Sequence, residues 1–370
     1  MRLPDSEELG IQHLNHIFDN TSECYKYFWF QAVLDKVLDG QEIITYDELI
    51  NEMIADAWYM VSEYHLNLGP RDTLESLIRR LCEISNMKSC EKKEVILEYL
   101  QNCTDREIMQ KKRVLSYHVP YRLQAPFLEN IKGNAWNVAE SQLIRMINRE
   151  ERLMYYFTAL KGMQTAICIQ PEWAAYMEKN QEILRGWLQY KMILYLQRRN
   201  PSVPGISDKL HPPRERRLDK VQKYWKLLLE LREVHEIYCG EIITEKNISI
   251  DHFVPWSFVA HDELWNLHPT TRVINSYKSN YLPDWEYYFP KLCRLEYFSY
   301  EMMQENLMIR EAFEMCAREH LNSSMIRGRV YKNGQSLEEF SRALEEVVRP
   351  VYQSAINCGF QRWTMGSGGS

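Results

Sequence analysis

The 370-residue chain has no C-x-x-C pair, and its nine cysteines are odd in number and scattered from Cys24 to Cys358. That argues against a zinc ribbon or a disulfide framework, and reduced thiols in the cytoplasm are the expectation. No run of about 18 apolar residues occurs, so no membrane span is expected. The first ten residues, MRLPDSEELG, have no apolar core of the secretory kind. A basic excess is missing too, since the net charge is −6. A protein that coats nucleic acid indiscriminately is usually basic overall, so any such contact must come from local patches. There is no internal repeat and no low-complexity tract.

What is present suits a soluble globular protein of two or three domains, with 45% hydrophobic and 26% charged residues. Residues 1–200 read as helical. Three capping spacings carry that reading: Asn20 with Glu23, Thr45 with Glu48, and Asp72 with Glu75. Gly40 is a natural left-handed stop for the first of these helices. Two long amphipathic helices are expected over 140–169 and 172–199, with Pro171 in a first-turn position. The basic stretch 111–122, KKRVLSYHVPYR, reads as a solvated connector, the alternative being a contact to a nucleic-acid backbone.

Residues 201–217 form a Pro-rich linker and the best domain boundary. A helix of about 19 residues should follow. Its start is basic: Arg214, Arg216, Arg217, Lys220, Lys223 and Lys226 face only Glu215 and Asp219. A solvated helix face is the default reading. Arg214, Arg216, Arg217 and Lys220 are the candidates for phosphate contacts that hold a duplex in register. Short β-rich pieces appear over 236–282, and helix returns after Pro283. Ser336 with Glu339 caps a last helix to about Asn357. Residues 365–370, ending in GSGGS, have a flexible-linker composition. The division expected is a helical domain over 1–200, the linker, a catalytic module with its basic helix over 218–300, and a helical flank over 301–364.

One stretch carries chemistry: 248–283, ISIDHFVPWSFVAHDELWNLHPTTRVINSYKSNYLP. It holds Asp251 next to His252, Asn266 14 positions after that His, Asn275 nine further on, and then Lys278. Cutting a phosphodiester near neutral pH needs a base for water, and His is the natural one. It also needs charge stabilisation, which a hard divalent cation supplies from oxygen ligands. Asp251 offers a carboxylate and Asn275 an amide oxygen. Neighbours in a strand point to opposite faces, so Asp251 and His252 can do different jobs. Asn266 can tie loop backbone and so fix the imidazole. His261 and His268 read as solvent-facing or satisfied rings, and Trp256 and Trp265 as core.

These residues, in this order, resemble the HNH nucleases, whose ββα-metal (His-Me finger) fold is built on such motifs. The carriers are Asp251-His252, the Pro255 after them, Trp265-Asn266-Leu267, Asn275-x-x-Lys278, and Leu282-Pro283. The likeness covers about 236–285. It implies a mainly α protein with a small ββα module, α+β in class. It implies His252 as general base, Asp251 and Asn275 as ligands of one Mg²⁺ or Mn²⁺, and Asn266 as the residue that orients the His loop. Lys278 would face the phosphate or brace the helix.

Many members carry two C-x-x-C pairs for a structural zinc. Here only Cys239 remains of the first and 270–274 replaces the second, so no structural zinc is expected and helices must hold the module. The base, both metal ligands and the orienting Asn are all present, which argues against a decayed copy. The resemblance further implies DNA as substrate, 5′-phosphate and 3′-hydroxyl products, and a place in bacterial restriction or anti-phage defence. Two other readings are a recognition subunit, whose helical domain takes a protein partner or regulatory ligand while the nuclease stays latent, and an RNA-cleaving nuclease or toxin. A single site cuts one strand per visit, so a duplex break would require a homodimer or two encounters.

Overall fold

The computed structural model describes residues 2–131, 133–158, 162–211 and 218–366. The chain divides into two compact units, Met1–Pro201 with Lys209–Pro212, and Ser202–Asp208 with Pro213–Ser370. The protein is mainly helical with small sheets, of the α+β class.

The first unit is built on helices Tyr25–Leu38, Tyr46–Ser62, Thr73–Ile84 and Arg106–Ser116, with Pro171–Lys179 and Gln181–Arg199 after them. Local capping explains several starts. Thr45 accepts the Glu48 amide while Glu48 reaches back, a complete capping box. Asp72 accepts the Glu75 amide, but the Glu75 carboxylate turns away to the Leu68 amide at 2.9 Å. Asn20 does not cap this helix: it begins at Tyr25, and Cys24 at its N-cap makes no capping bond, its thiol donating instead to Asp72 Oδ2 at 3.1 Å. Gly40 does take a left-handed φ of 78° just past the helix end.

The expectation of helix throughout this unit fails at a three-stranded antiparallel sheet. Its strands are Ile43–Thr45, Tyr155–Phe157 and Ala166–Ile169, the last in the middle. The long helix expected over 140–169 stops at Ile147. Beyond it, Asn148 exchanges two hydrogen bonds with the Phe157 backbone, donating to the carbonyl at 2.8 Å and accepting the amide at 3.0 Å. That clamp, with the aromatic and β-branched run 155–157 and 167–169, favours pleated backbone over helix. The helix expected over 172–199 is split at Asn180.

In the second unit the helix Asp219–Leu231 is 13 residues long, shorter than expected, because Val234–His235 leaves it to pair with Ile242–Ile243. Strands Ile248–His252 and Leu267–Thr271 form an antiparallel hairpin, and helix Arg272–Lys278 follows directly. Helix Asp219–Leu231 packs on the hairpin, while Trp285–Glu305 packs against Leu307–His320 and Leu337–Asn357, and Ser324–Val330 against the last of these. Ser336 and Glu339 form a second complete capping box. The Leu282-Pro283 pair is pinned by a parallel strand, Arg362–Trp363, and by the Tyr352 hydroxyl, which donates to the Pro283 carbonyl at 2.8 Å. Rings of Phe253, Trp285, Phe289 and Tyr352 interlock beside it. Trp265 is buried, and Trp256 is half-buried.

One core residue is costly. Glu296 is buried in the middle of helix Trp285–Glu305, and its Oε1 has no hydrogen-bond partner among the described residues. Burial pushes its carboxyl well above 4.5. The folded state therefore keeps a proton there that the unfolded chain releases as pH rises past about 4.5. Its contribution to stability is full below that value and is lost as pH climbs through the folded pKa. Glu296→Gln should match the wild type near pH 4 and exceed it at pH 8 by about 1–3 kcal/mol. Urea melts at both pH values check this, and an advantage that does not change with pH would refute it.

Candidate active site

The hairpin register places Asp251 opposite His268 and His252 opposite Leu267. Asp251 and His252 leave the strand on opposite sides of the pleat and acquire different partners.

Asp251 is 5% exposed. Its Oδ2 accepts the Tyr238 hydroxyl at 2.8 Å, and the Lys278 ammonium sits at 3.2 Å from Oδ1 and 3.1 Å from Oδ2. Lys278 also donates to the His252 carbonyl at 2.8 Å and is fully buried. Burial alone would raise the Asp251 carboxyl, but Lys278, His268 and the Tyr238 hydroxyl outweigh it and hold the group below its usual range. Burial likewise pulls Lys278 down, with Asp251 opposing. The Tyr238 hydroxyl is kept protonated, pushed up by burial and by the Asp251 charge. Lys278 thus braces the Asp251 carboxylate and the strand backbone.

His268 departs from its expected reading. It is fully buried, its Nε2 lies 3.7 Å from Asp251 Oδ2, and neither ring nitrogen makes a hydrogen bond among the described residues. Burial pushes its pKa down to about 4. It is a neutral ring behind the carboxylate, neither solvent-facing nor satisfied.

His252 is 3% exposed, and its Nε2 lies 2.8 Å from Asp262 Oδ1. A carboxylate at that distance selects the tautomer with the proton on Nε2, which makes Nδ1 the basic nitrogen. Asp262 was not singled out from sequence: it lies in the loop between the strands, where no periodicity marks it. Its position is itself braced. The His320 ring lies with Nδ1 2.9 Å from the Asp262 carbonyl, and Glu263 accepts the Asn322 backbone and side-chain amides.

Asn266, fully buried, exchanges two hydrogen bonds with Val254: the Val254 amide donates to Oδ1 at 2.7 Å and Nδ2 donates to the Val254 carbonyl at 2.8 Å. The Phe253 amide also reaches the Asn266 carbonyl at 2.9 Å. The loop from His252 to the second strand is closed by these bonds. Asn275 points its Nδ2 at the first strand, donating to Ser249 Oγ at 2.8 Å and the Ile250 carbonyl at 3.2 Å. Its Oδ1 therefore faces away from the strand and accepts no hydrogen bond among the described residues.

Asp251, His252, Asn275 and Lys278 line a single cavity of about 270 Å³. The donor set fits a hard divalent cation. Tyr238 and Lys278 leave lone-pair capacity on the Asp251 carboxylate, and the Asn275 amide oxygen is turned outward beside it. A carboxylate and an amide oxygen suit Mg²⁺ or Mn²⁺, which keep several waters and take few protein ligands. No cluster of three or more His, Cys, Asp or Glu able to hold a metal occurs among the described residues.

Where the resemblance would place a first cysteine pair, a carboxylate closes the turn. Glu236 accepts the amides of Tyr238, Cys239 and Gly240, which hold it below its usual range despite burial. That turn sets Tyr238 against Asp251. Of the four proposed phosphate contacts, Arg214, Arg216 and Arg217 lie outside the described residues, and the Lys220 ammonium pairs with Glu319.

No helix among the described residues is long and apolar enough to cross a membrane. No curated protein and no solved structure matches the chain. Residues 235–284 match the family model described as HNH endonuclease, a span that contains Asp251, His252, Asp262, Asn266, Asn275 and Lys278.

Proposed function

We propose that this protein hydrolyses DNA phosphodiester bonds at the cavity lined by Asp251, His252 and Asn275, with Mg²⁺ or Mn²⁺ as cofactor. The observation that supports the reading is convergence: Asp251, His252 and Asn275, all in the span that matches the HNH endonuclease model, line one cavity.

His252 Nδ1 takes a proton from water, and Asp262 stabilises the imidazolium that results. The water oxygen attacks phosphorus as the bond to the 3′-oxygen breaks. The departing oxygen takes a proton from solvent, leaving a 5′-phosphate and a 3′-hydroxyl. Asp251 and Asn275 would hold the cation, which when bound offsets the charge building on the phosphoryl and departing oxygens. Asn266 keeps the His loop closed, and Lys278 fixes the Asp251 carboxylate. A role in bacterial defence fits a nuclease module joined to a large helical unit, and rests on analogy.

The test offers supercoiled plasmid, linear duplex, single strands and RNA to the purified protein, with Mg²⁺, Mn²⁺ or EDTA. Nicked or linear plasmid should appear with either metal and be absent in EDTA. Cleavage of RNA alone would replace the substrate in this proposal. Absence of cleavage under every metal would favour the recognition-subunit reading.

A further inference from the structure

The basic stretch 111–122 is not among the residues of the nuclease site, and its cations Lys111, Lys112 and Arg122 differ in their partners. Lys111 pairs with Glu107 at 3.1 Å, and Lys112 with Asp47. Arg122 has no carboxylate within ion-pair distance among the described residues, and its guanidinium lies 4.2 Å over the Trp136 ring. It lines a cavity of about 750 Å³ in the first unit together with Lys26 and His118. Lys26 also lacks a carboxylate partner there, and its ammonium is held by the Ile17 carbonyl at 3.1 Å.

Two half-buried cations that line one cavity, neither of them in an ion pair among the described residues, repel each other. Lys26 registers this: burial first, then Arg122, pull it down to about 8, with Asp19 opposing. Asp19 and Glu23 line the same cavity, but neither is within ion-pair distance of Lys26 or Arg122. Asp19 pairs with His16 at 2.5 Å. An anion entering the cavity would relieve this repulsion. A planar guanidinium beside an ammonium suits phosphate oxygens. The volume falls in the range of small-ligand sites, about 300–1,000 Å³. A nucleic-acid track would string its cations along an open groove, whereas these two face one concave space.

We propose that the cavity lined by Lys26, His118 and Arg122 binds a phosphorylated small molecule, its phosphate between Lys26 and Arg122. This holds whether or not the HNH segment cleaves, and its test reads no nuclease activity. Calorimetry on the full chain would use inorganic pyrophosphate, ADP and adenosine as probes. Pyrophosphate or ADP should bind and adenosine should not. Lys26→Met and Arg122→Met should each weaken binding at least about tenfold, the usual scale for losing a charged hydrogen bond. If Lys26→Met does not fold, Arg122→Met and Arg122→Lys carry the test, the latter with an intermediate loss. Binding unchanged in folded variants, or no heat from either phosphate probe up to about 1 mM, would overturn the proposal. So would a short oligonucleotide that binds and loses affinity in the variants while the small probes stay silent.

Discussion

His252→Ala is expected to lower DNA cleavage by about 100- to 10,000-fold, the usual contribution of a positioned general base. The loss should fall on the chemical step, because the proposed metal ligands Asp251 and Asn275 keep their supports. Asp251 is held by Tyr238 and Lys278, and Asn275 by Ser249 and Ile250. Binding of Mn²⁺ to the folded variant should therefore be unchanged while turnover collapses. Asp262→Asn tests the positioning role separately. The amide can present an N–H to His252 Nε2 and so favour the wrong tautomer, with an expected fall of about 10- to 100-fold. The fall should appear in kcat with KM little changed, since Asp262 touches the imidazole and not the substrate. Cleavage by His252→Ala within a few-fold of wild type would mean that the base lies elsewhere.

How much of this was legible beforehand follows from the range of the contacts. Asp251, His252, Asn266, Asn275 and Lys278 lie within 28 consecutive residues of one hairpin and one helix. Their spacing nearly determines their geometry, because the hairpin register and a seven-residue helix leave little freedom. Caps are local as well, which is why Thr45 with Glu48 and Ser336 with Glu339 could be read directly. Asn20 had the same spacing and failed, since capping spacing is necessary and not sufficient.

What escaped depends on distant chain. Tyr238 meets Asp251 across 13 residues, and Asp262 is braced by His320 from 58 residues away. An aromatic or an acid in a loop carries no pattern that announces such a partner. The burial of His268 draws on rings at Tyr238 and Phe253, 30 and 15 residues before it. The sheet strands Tyr155–Phe157 and Ala166–Ile169 were read as helix because short apolar runs fit either period. The tie from Asn148 to Phe157 decided the matter.

Lys278→Met is expected to destabilise the protein by about 3–5 kcal/mol, the cost of breaking a buried ion pair from one side. The methionine fills the space of the alkyl stem, so lost packing is a minor part. The larger part is Asp251, which would stay 5% exposed with its charge unmatched. Tyr238 alone would still donate to it, and His268, with its pKa near 4, is neutral at pH 7. The carbonyl of His252 would lose its donor as well. Two further measurements separate this account from a simple packing defect. Adding Asp251→Asn to Lys278→Met removes the unmatched charge, and should restore about 1–3 kcal/mol of the loss as a coupling between contacting residues. Mg²⁺ should raise the melting temperature of Lys278→Met more than that of the wild type, because a cation on Asp251 replaces the missing ammonium. A loss below about 1 kcal/mol, or a double variant no more stable than the single, would show that Lys278 does not neutralise Asp251. In that case the lysine would be available to the substrate phosphate, and its removal would be read in KM and not in the melt.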